Sequence, residues 1–231
     1  MAVFLVPAFA FLVGLAFAVA VGWQFRARGK PYQAAWALAL LLFALASQQE
    51  ALGILRGWDD YTYKLYYLFG GILDVAWLGA GSLMLLAPRR LALPLAAGMG
   101  VLTLVAVLAV AASATHPALL HAEIPPRGAL TGPATLLAPL TNIAGSLVLI
   151  GGAAYSAWKA YRRRDPVSRV IGTALIAAGA FIVAAGHSLA QVRGTYVIQP
   201  AAEALGIFVM FGGYLAVEGQ RRAPARTRTA G

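Results

Sequence analysis

Four ionisable residues, Glu50, Asp74, His187 and Glu203, lie inside stretches of sequence that are otherwise apolar. An ionisable side chain within a bilayer is costly, so each one is a candidate functional residue whose partner must be sought on another helix. The membrane stretches contain lysine or arginine only near their ends, at Lys64 and Arg169, away from these four residues. Carboxylates in this setting favour a proton, a metal ion or a cationic ligand over an anionic one.

Each of these residues also has a purely structural interpretation. Glu50 could extend to the lipid headgroups or hydrogen-bond to a neighbouring helix, and His187 could form a hydrogen bond between helices. Asp74 could bond a tyrosine or remain neutral and protonated. For Glu203 the structural and functional interpretations are evenly balanced.

Further polar and aromatic residues extend the candidate site. Tyr63, Tyr66, Tyr67, Gly70 and Asp74 recur every three to four residues, which predicts that they share one face of a helix. These tyrosines are also typical of the aromatic belt at a membrane interface. The complete predicted ligand-binding site is Glu50, Tyr63, Tyr67, Asp74, Asn142, His187 and Glu203.

The composition places these residues in an integral membrane protein. Apolar residues make up 61% of the 231-residue chain and charged residues 11%, whereas soluble domains carry roughly 25% charged residues. There are no cysteines, so disulfides and thiolate metal sites are excluded. The basic residues are 15 arginines and 3 lysines in a chain rich in Ala, Leu and Gly, a bias that suggests a GC-rich bacterial genome.

Seven apolar stretches are long enough to cross a bilayer, which requires about 20 residues each. The sequence therefore predicts an all-α seven-transmembrane-helix bundle over residues 1–220, followed by a basic cytoplasmic tail over 221–231. The predicted spans are 3–23, 32–55, 61–87, 91–113, 133–158, 168–192 and 196–218. The loop 114–132 is expected to be irregular or to form a short surface helix.

The basic residues predict the orientation of the bundle. Fourteen of the 18 fall on one side and four (Arg56, Lys64, Arg127 and Arg193) on the other. By the positive-inside rule the first side is cytoplasmic, so the N-terminus lies outside and the C-terminus inside. We expect the inner (cytoplasmic) cell membrane of a bacterium. The basic runs are explained by topology and anionic lipid, so no nucleic-acid partner is expected.

The depth of the polar residues follows from the 1.5 Å rise per helical residue. Glu50, Asn142, His187 and Glu203 fall in the outer half, and Asp74 lies ~20 Å deep, near the middle of the bilayer. This distribution predicts a pocket open to the outside and closed to the cytoplasm. Glycines at 172, 179 and 186 predict a small-residue seam for close helix packing.

Several chemistries are absent from the sequence. Histidine pairs at haem-ligand spacing are missing, so haem is not expected, and the last span has no lysine, which excludes retinal bound as a Schiff base. No catalytic constellation is recognisable, although Glu50, His187 and Glu203 remain weak candidates for a metal site. An intramembrane metal-dependent enzyme is accordingly a third hypothesis, and a purely structural or assembly role through the glycine seams is a further alternative.

Spans two and six, and spans three and seven, share some features. The first pair each begin after a basic run and a proline and end in polar residues, and the second pair each contain a Gly-Gly dipeptide. A shift of four spans preserves orientation, so the pattern favours a parallel 3+1+3 repeat of the kind found in transporters.

The region 35–86 contains Glu50 late in span two, an aromatic-rich start to span three over 63–70, and then Trp77. It resembles the N-terminal seven-transmembrane sensor region of bacterial histidine kinases, as does the segment 158–182 with its basic loop and small-residue helix. The last span ends in basic residues where the cytoplasmic module of such kinases would follow. No kinase module follows Arg222, so the resemblance implies an outward-facing sensory bundle that signals through a separate cytoplasmic partner.

These observations together favour a receptor-like or sensory membrane protein with an outward-facing polar pocket for a small molecule, a proton or a cation. The alternative is a small transporter or proton-coupled carrier built on the 3+1+3 repeat.

Overall fold

A computed structural model describes residues 3–120, 128–193 and 198–222. This part of the chain contains seven helices long and apolar enough to cross a membrane, as the sequence predicts. They are α1 (Leu5–Arg28), α2 (Pro31–Arg56), α3 (Asp60–Leu86), α4 (Ala92–Ala112), α5 (Ala134–Arg162), α6 (Val167–Arg193) and α7 (Ile198–Arg222). The chain is therefore a multi-pass membrane protein.

Several helices extend beyond the predicted spans. α1 continues through its basic residues to Arg28 and ends at Gly29, whose φ of 60° allows its N–H to donate to the carbonyl of Phe25 at 2.7 Å. A glycine in this left-handed conformation is a common helix terminator. Proline begins α2 at Pro31, where no intrahelical donor is lost. Hydropathy marks the lipid-facing length, but helical hydrogen bonding continues into the charged interface.

Six of the seven helices form a closed ring. Around it the order is α1, α2, α3, α5, α6 and α7, and α7 returns to pack on α1. α4 lies outside this ring, chiefly against α3, and only Ala106 and Val110 on it are buried. Sequence order alone could not distinguish this peripheral helix from its neighbours.

The helix termini define two ends of the bundle. One end of the bundle contains the C-termini of α1, α3, α5 and α7 with their arginines and lysines, and we call it the basic end. The opposite end contains the N-termini of α3, α5 and α7. At the opposite end a short β-hairpin pairs Ala114–Thr115 with Leu130–Thr131, and a 3₁₀ turn covers Pro117–Leu119. The described part of the 114–132 connection is thus a hairpin and a turn. Glu123 and Arg127 lie outside the described residues, as do Arg226 and Arg228.

The predicted small-residue seam on α6 packs against α7. A Cβ atom added to Gly172 would lie 2.6 Å from the carbonyl oxygen of Gly213, and one added to Gly179 would lie 2.5 Å from that of Gly206. Gly186 similarly faces Ala202. These approaches leave no room for side chains, so α6 and α7 form the most closely packed pair in the ring.

α3 and α5 also cross closely, and this crossing gives a testable prediction. A Cβ on Gly145 would lie 2.5 Å from the backbone oxygen of Val75, whereas a Cβ on Gly151 of the same helix meets nothing within 4 Å. Gly145→Ala should therefore destabilise the protein by about 1–3 kcal/mol through overpacking. Gly151→Ala should leave it unchanged or slightly more stable. Thermal unfolding in detergent measures both, and equal midpoints for the two variants would contradict this account of the crossing.

α3 is interrupted by a π-helical segment, Tyr67–Leu73, which ends immediately before Asp74. The side-chain amide of Asn142 on α5 donates to the carbonyl of Gly71 within the segment at 2.6 Å, and to Ala138 at 2.8 Å. Short π-helical segments are rare and frequently occur at functional sites. Asn142 supports this one from the neighbouring helix.

Candidate functional site

Four of the predicted site residues meet between α2, α3, α6 and α7, in the half of the bundle away from the basic end. Glu50, Asp74 and Glu203 are 0%, 6% and 7% exposed, and His187 lies beside them. Tyr66 and Gln199 complete this group, which we call the acidic cluster: Glu50, Tyr66, Asp74, His187, Gln199 and Glu203.

The central contact of the acidic cluster joins α6 to α7. Nε2 of His187 lies 3.1 Å from Oε1 of Glu203, and Nδ1 lies 3.0 Å from the carbonyl oxygen of Val183. A carbonyl oxygen can only accept, so the tautomer assigned from this geometry has the hydrogen on Nδ1. The Nε2–Oε1 hydrogen bond then needs a second proton, on either the imidazole or the carboxyl group. The pair is therefore a candidate proton-binding unit.

Gln199 connects this pair to α3. Its amide nitrogen donates to the hydroxyl oxygen of Tyr66 at 3.0 Å and to Oε1 of Glu203 at 3.1 Å. Gln199 and Glu203 are four residues apart on α7, so they share a face of that helix. One amide thus fixes the position of the Glu203 carboxyl relative to α3.

The carboxyl group of Glu50 is not held by hydrogen bonds of this kind. Its side chain is fully buried, and neither carboxyl oxygen has a hydrogen-bond partner among the described residues. It interacts electrostatically with Glu203 and with Tyr66. Ionisation of both carboxyl groups is costly in a low-dielectric site, and a bound proton or a nearby cation, such as a protonated His187, lowers that cost.

Asp74 lies at the side of the acidic cluster nearest the middle of the membrane stretch, immediately after the π-helical segment. Its Oδ1 accepts from the backbone N–H of Val75 at 2.6 Å, and the carboxyl interacts electrostatically with Glu203 and His187. The cluster thus extends from Glu50 and His187 towards the middle of the membrane stretch.

The other three predicted residues have different surroundings. Tyr63 is buried in an aromatic group, with its ring centroid 5.8 Å from that of Trp58 and 6.3 Å from that of Tyr67. Asn142 bonds the π-helical segment. The structure therefore brings together Glu50, Asp74, His187 and Glu203, and places Tyr63, Tyr67 and Asn142 in the packing around them.

The predicted binding site does not include Tyr66 or Gln199. Gln199 precedes Glu203 by four residues, which places both on one face of α7, and Tyr66 belongs to the predicted tyrosine face. Their mutual contact crosses from α3 to α7, and no spacing within one helix reveals it. Among the described residues, no group of three or more His, Asp or Glu is arranged to hold a metal ion.

A second polar network lies at the basic end and was not anticipated. Glu218, 7% exposed, accepts from Nη2 of Arg28 at 2.8 Å and from the amide of Gln24 at 2.6 Å. Gln24 in turn accepts from the amide of Gln33, which is fully buried. This network joins α1, α2 and α7. Hydropathy gives little weight to polar residues near helix ends, where most are solvated.

This network predicts a large cost for removing one charge. Arg28→Leu leaves the Glu218 carboxylate without its guanidinium, so we expect a loss of about 1–3 kcal/mol. Arg26→Leu, at an exposed position two residues earlier, should have little effect. Adding Glu218→Gln to Arg28→Leu should recover part of the loss, and a double-mutant cycle of unfolding midpoints measures the coupling. Strict additivity of the two substitutions would contradict the pairing.

Comparisons with protein-family models, with curated proteins and with solved structures gave no match to this chain.

Proposed function

We propose that this chain is a receptor-like or sensory membrane protein whose acidic cluster binds a proton or a small cation that enters from outside the cell. The observation that carries the proposal is Glu50, a fully buried carboxyl group with no hydrogen-bond partner for either oxygen, beside a second buried carboxyl group on Glu203. Such a pair is a binding site for positive charge.

The charges around the cluster support a proton or small cation as the ligand. The groups that face one another are Glu50 from α2, Tyr66 and Asp74 from α3, His187 from α6 and Glu203 from α7. Three are carboxyl groups, and histidine is the only one that carries a positive charge when protonated. No set of three metal ligands is present among the described residues, which favours a proton or a small organic cation over a tightly held metal.

Binding at this site would be transmitted through hydrogen bonds between helices. The proton in the His187–Glu203 bond joins α6 to α7, and Gln199 joins α7 to α3. Loss or gain of positive charge at the cluster changes the His187–Glu203 bond directly, because that bond needs the second proton. A change in helix packing at the acidic cluster can be transmitted along the helices to the basic end of the bundle.

The remaining parts of the proposal are the orientation, the membrane and the partner. The distribution of basic residues supports an N-terminus outside, a C-terminus inside and residence in the cytoplasmic membrane of a bacterium. The resemblance to kinase sensor regions supports a separate signalling protein that contacts the basic end.

The test uses the purified wild-type chain in detergent. We expect its thermal unfolding midpoint to change with pH, or with sodium, calcium or small amines at fixed ionic strength. Choline chloride at the same concentration controls for salt. A midpoint that ignores pH and every cation tested would overturn the proposal.

A proton-coupled carrier is the second candidate. Its specific support is the position of α4 outside a ring formed by three helices before it and three after it, which fits the 3+1+3 arrangement. Asp74, at the end of a π-helical segment, would be the deep proton site. Reconstituted vesicles with an internal pH dye separate the candidates, because a carrier acidifies or alkalises the lumen when a substrate gradient is applied and a sensor does not.

A further inference from the structure

An open cavity lies at the basic end, separate from the acidic cluster, and its space of about 400 Å³ includes the solvent at its mouth. Its lining includes Trp36 of α2, Ser82 and Leu86 of α3, Gly152 and Ala153 of α5, and Thr173 of α6. Each lies within about ten residues of the end of its helix at the basic side, a depth of no more than ~15 Å. These lining residues therefore lie in the half of the membrane stretch next to the basic residues, and Leu149 of α5 extends the lining towards the middle.

The interior of this cavity offers an apolar surface. Its hydroxyl groups are already used, since Ser82 donates to the carbonyl of Leu78 and Thr173 to that of Arg169. Trp36 likewise donates its indole N–H to the carbonyl of Leu78 at 3.2 Å. None of these three described side chains has a hydrogen-bond donor free for a polar ligand, so the cavity fits a hydrocarbon ligand.

The rim of the cavity is basic. Every helix that lines it has a lysine or arginine beyond its lining residues at this end, in each case within about six residues: Lys30 before α2, Arg89 and Arg90 after α3, Arg162 and Arg163 at the end of α5, and Arg169 at the start of α6. Arg89 and Arg90 are exposed and form no ion pair with a described carboxylate. Leu86, in the lining, is 44% exposed, so the cavity reaches the surface of the bundle.

We propose that this cavity binds one acyl chain of an anionic phospholipid, whose phosphate headgroup contacts the arginines at the rim. An apolar cavity supplies the fit for the chain, and the cationic rim, in which Arg169 is paired with Asp165 but Arg89 and Arg90 are not paired, supplies the preference for a negative headgroup. The bilayer supplies the ligand from the adjacent leaflet. The site is independent of the acidic cluster and of any signal that the cluster carries.

Two matched variants of α5 test the acyl-chain pocket. Ala153→Leu places a larger side chain in the cavity, whereas Ala154→Leu places the same side chain on the exposed face one residue later. Titration of the delipidated full chain with phosphatidylglycerol, followed by native mass spectrometry, gives the affinity of the tightest lipid. We expect Ala153→Leu to weaken the affinity for the lipid by about tenfold, because the larger side chain displaces roughly two methylene groups of the acyl chain from the cavity. Ala154→Leu should leave the affinity unchanged.

Headgroup recognition is tested separately with the double variant Arg89→Gln, Arg90→Gln, which leaves the cavity intact. The wild type should bind phosphatidylglycerol more tightly than phosphatidylcholine of the same chains, and the double variant should lose most of that difference. Equal binding by Ala153→Leu and Ala154→Leu would overturn the pocket. Equal binding of the two lipids by the wild type would overturn the headgroup contact. If Ala153→Leu fails to fold, the double variant decides, and an unchanged lipid preference in it overturns the proposal.

Discussion

Glu203→Gln is expected to remove most of the pH dependence of thermal stability. In the wild type, the His187–Glu203 bond exists only while the pair holds its shared proton, because Nδ1 of the histidine already donates to Val183. Raising the pH removes that proton and leaves a carboxylate facing an imidazole lone pair. A charge-assisted bond of this kind contributes about 1.5–3 kcal/mol, which corresponds to a fall in the midpoint of roughly 3–12 °C.

A glutamine at position 203 behaves differently, since its amide can donate to Nε2 of a neutral His187 or, through its oxygen, accept from Nε2 of a protonated one. The variant should fold and keep a midpoint that is nearly constant with pH, as measured by tryptophan fluorescence in detergent. Asp60→Asn is the matched control, because Asp60 is an exposed carboxylate paired with Lys64 at 3.2 Å and lies outside the acidic cluster. Should Glu203→Gln keep the wild-type pH profile, the His187–Glu203 pair would not be the proton-binding unit.

The second large effect concerns Glu50, whose removal should make the protein more stable and less responsive. Leucine at this position has no unpaired polar atoms, so Glu50→Leu should gain about 1–3 kcal/mol. Glu50→Gln keeps a buried polar group without partners and should gain nothing. Both variants should lose response to small cations, because the second carboxyl group of the site is gone.

Ser47→Ala on the same helix is the control for this experiment. Ser47 is buried one turn from Glu50, but its hydroxyl already donates to Phe43 at 3.1 Å, so its replacement removes a satisfied group. Thermal midpoints with and without cation measure all three variants. A Glu50→Leu protein that is less stable than wild type would show that Glu50 makes a stabilising contact, and the binding role would then be wrong.

The number of helices could be predicted because crossing a bilayer requires a long apolar stretch, and each of the seven stretches is a helix in the structure. The seam at Gly172, Gly179 and Gly186 could also be predicted, since small residues at helical spacing allow close approach. The position of α4 outside the ring could not, because α1 is equally apolar and yet belongs to the ring, so only packing distinguishes the two.

The acidic cluster was predictable in part. Burial of Glu50, Asp74, His187 and Glu203 is costly wherever they lie, so their candidacy followed from residue type and depth. Which partners they meet depends on the rotation of each helix about its axis, and hydropathy carries no information on that rotation. For this reason the Gln199–Tyr66 bond and the Arg28–Glu218 network became visible only in three dimensions.

The π-helical segment Tyr67–Leu73 sets the phase between the two halves of α3. One residue of an α-helix corresponds to a turn of about 100°. Deleting a single residue there, so that α3 runs as an uninterrupted α-helix, would swing Tyr66 away from Gln199 if Asp74 kept its place. Asn142, whose side-chain amide donates to Gly71 in the segment, therefore helps to fix the angle at which one half of α3 meets the other.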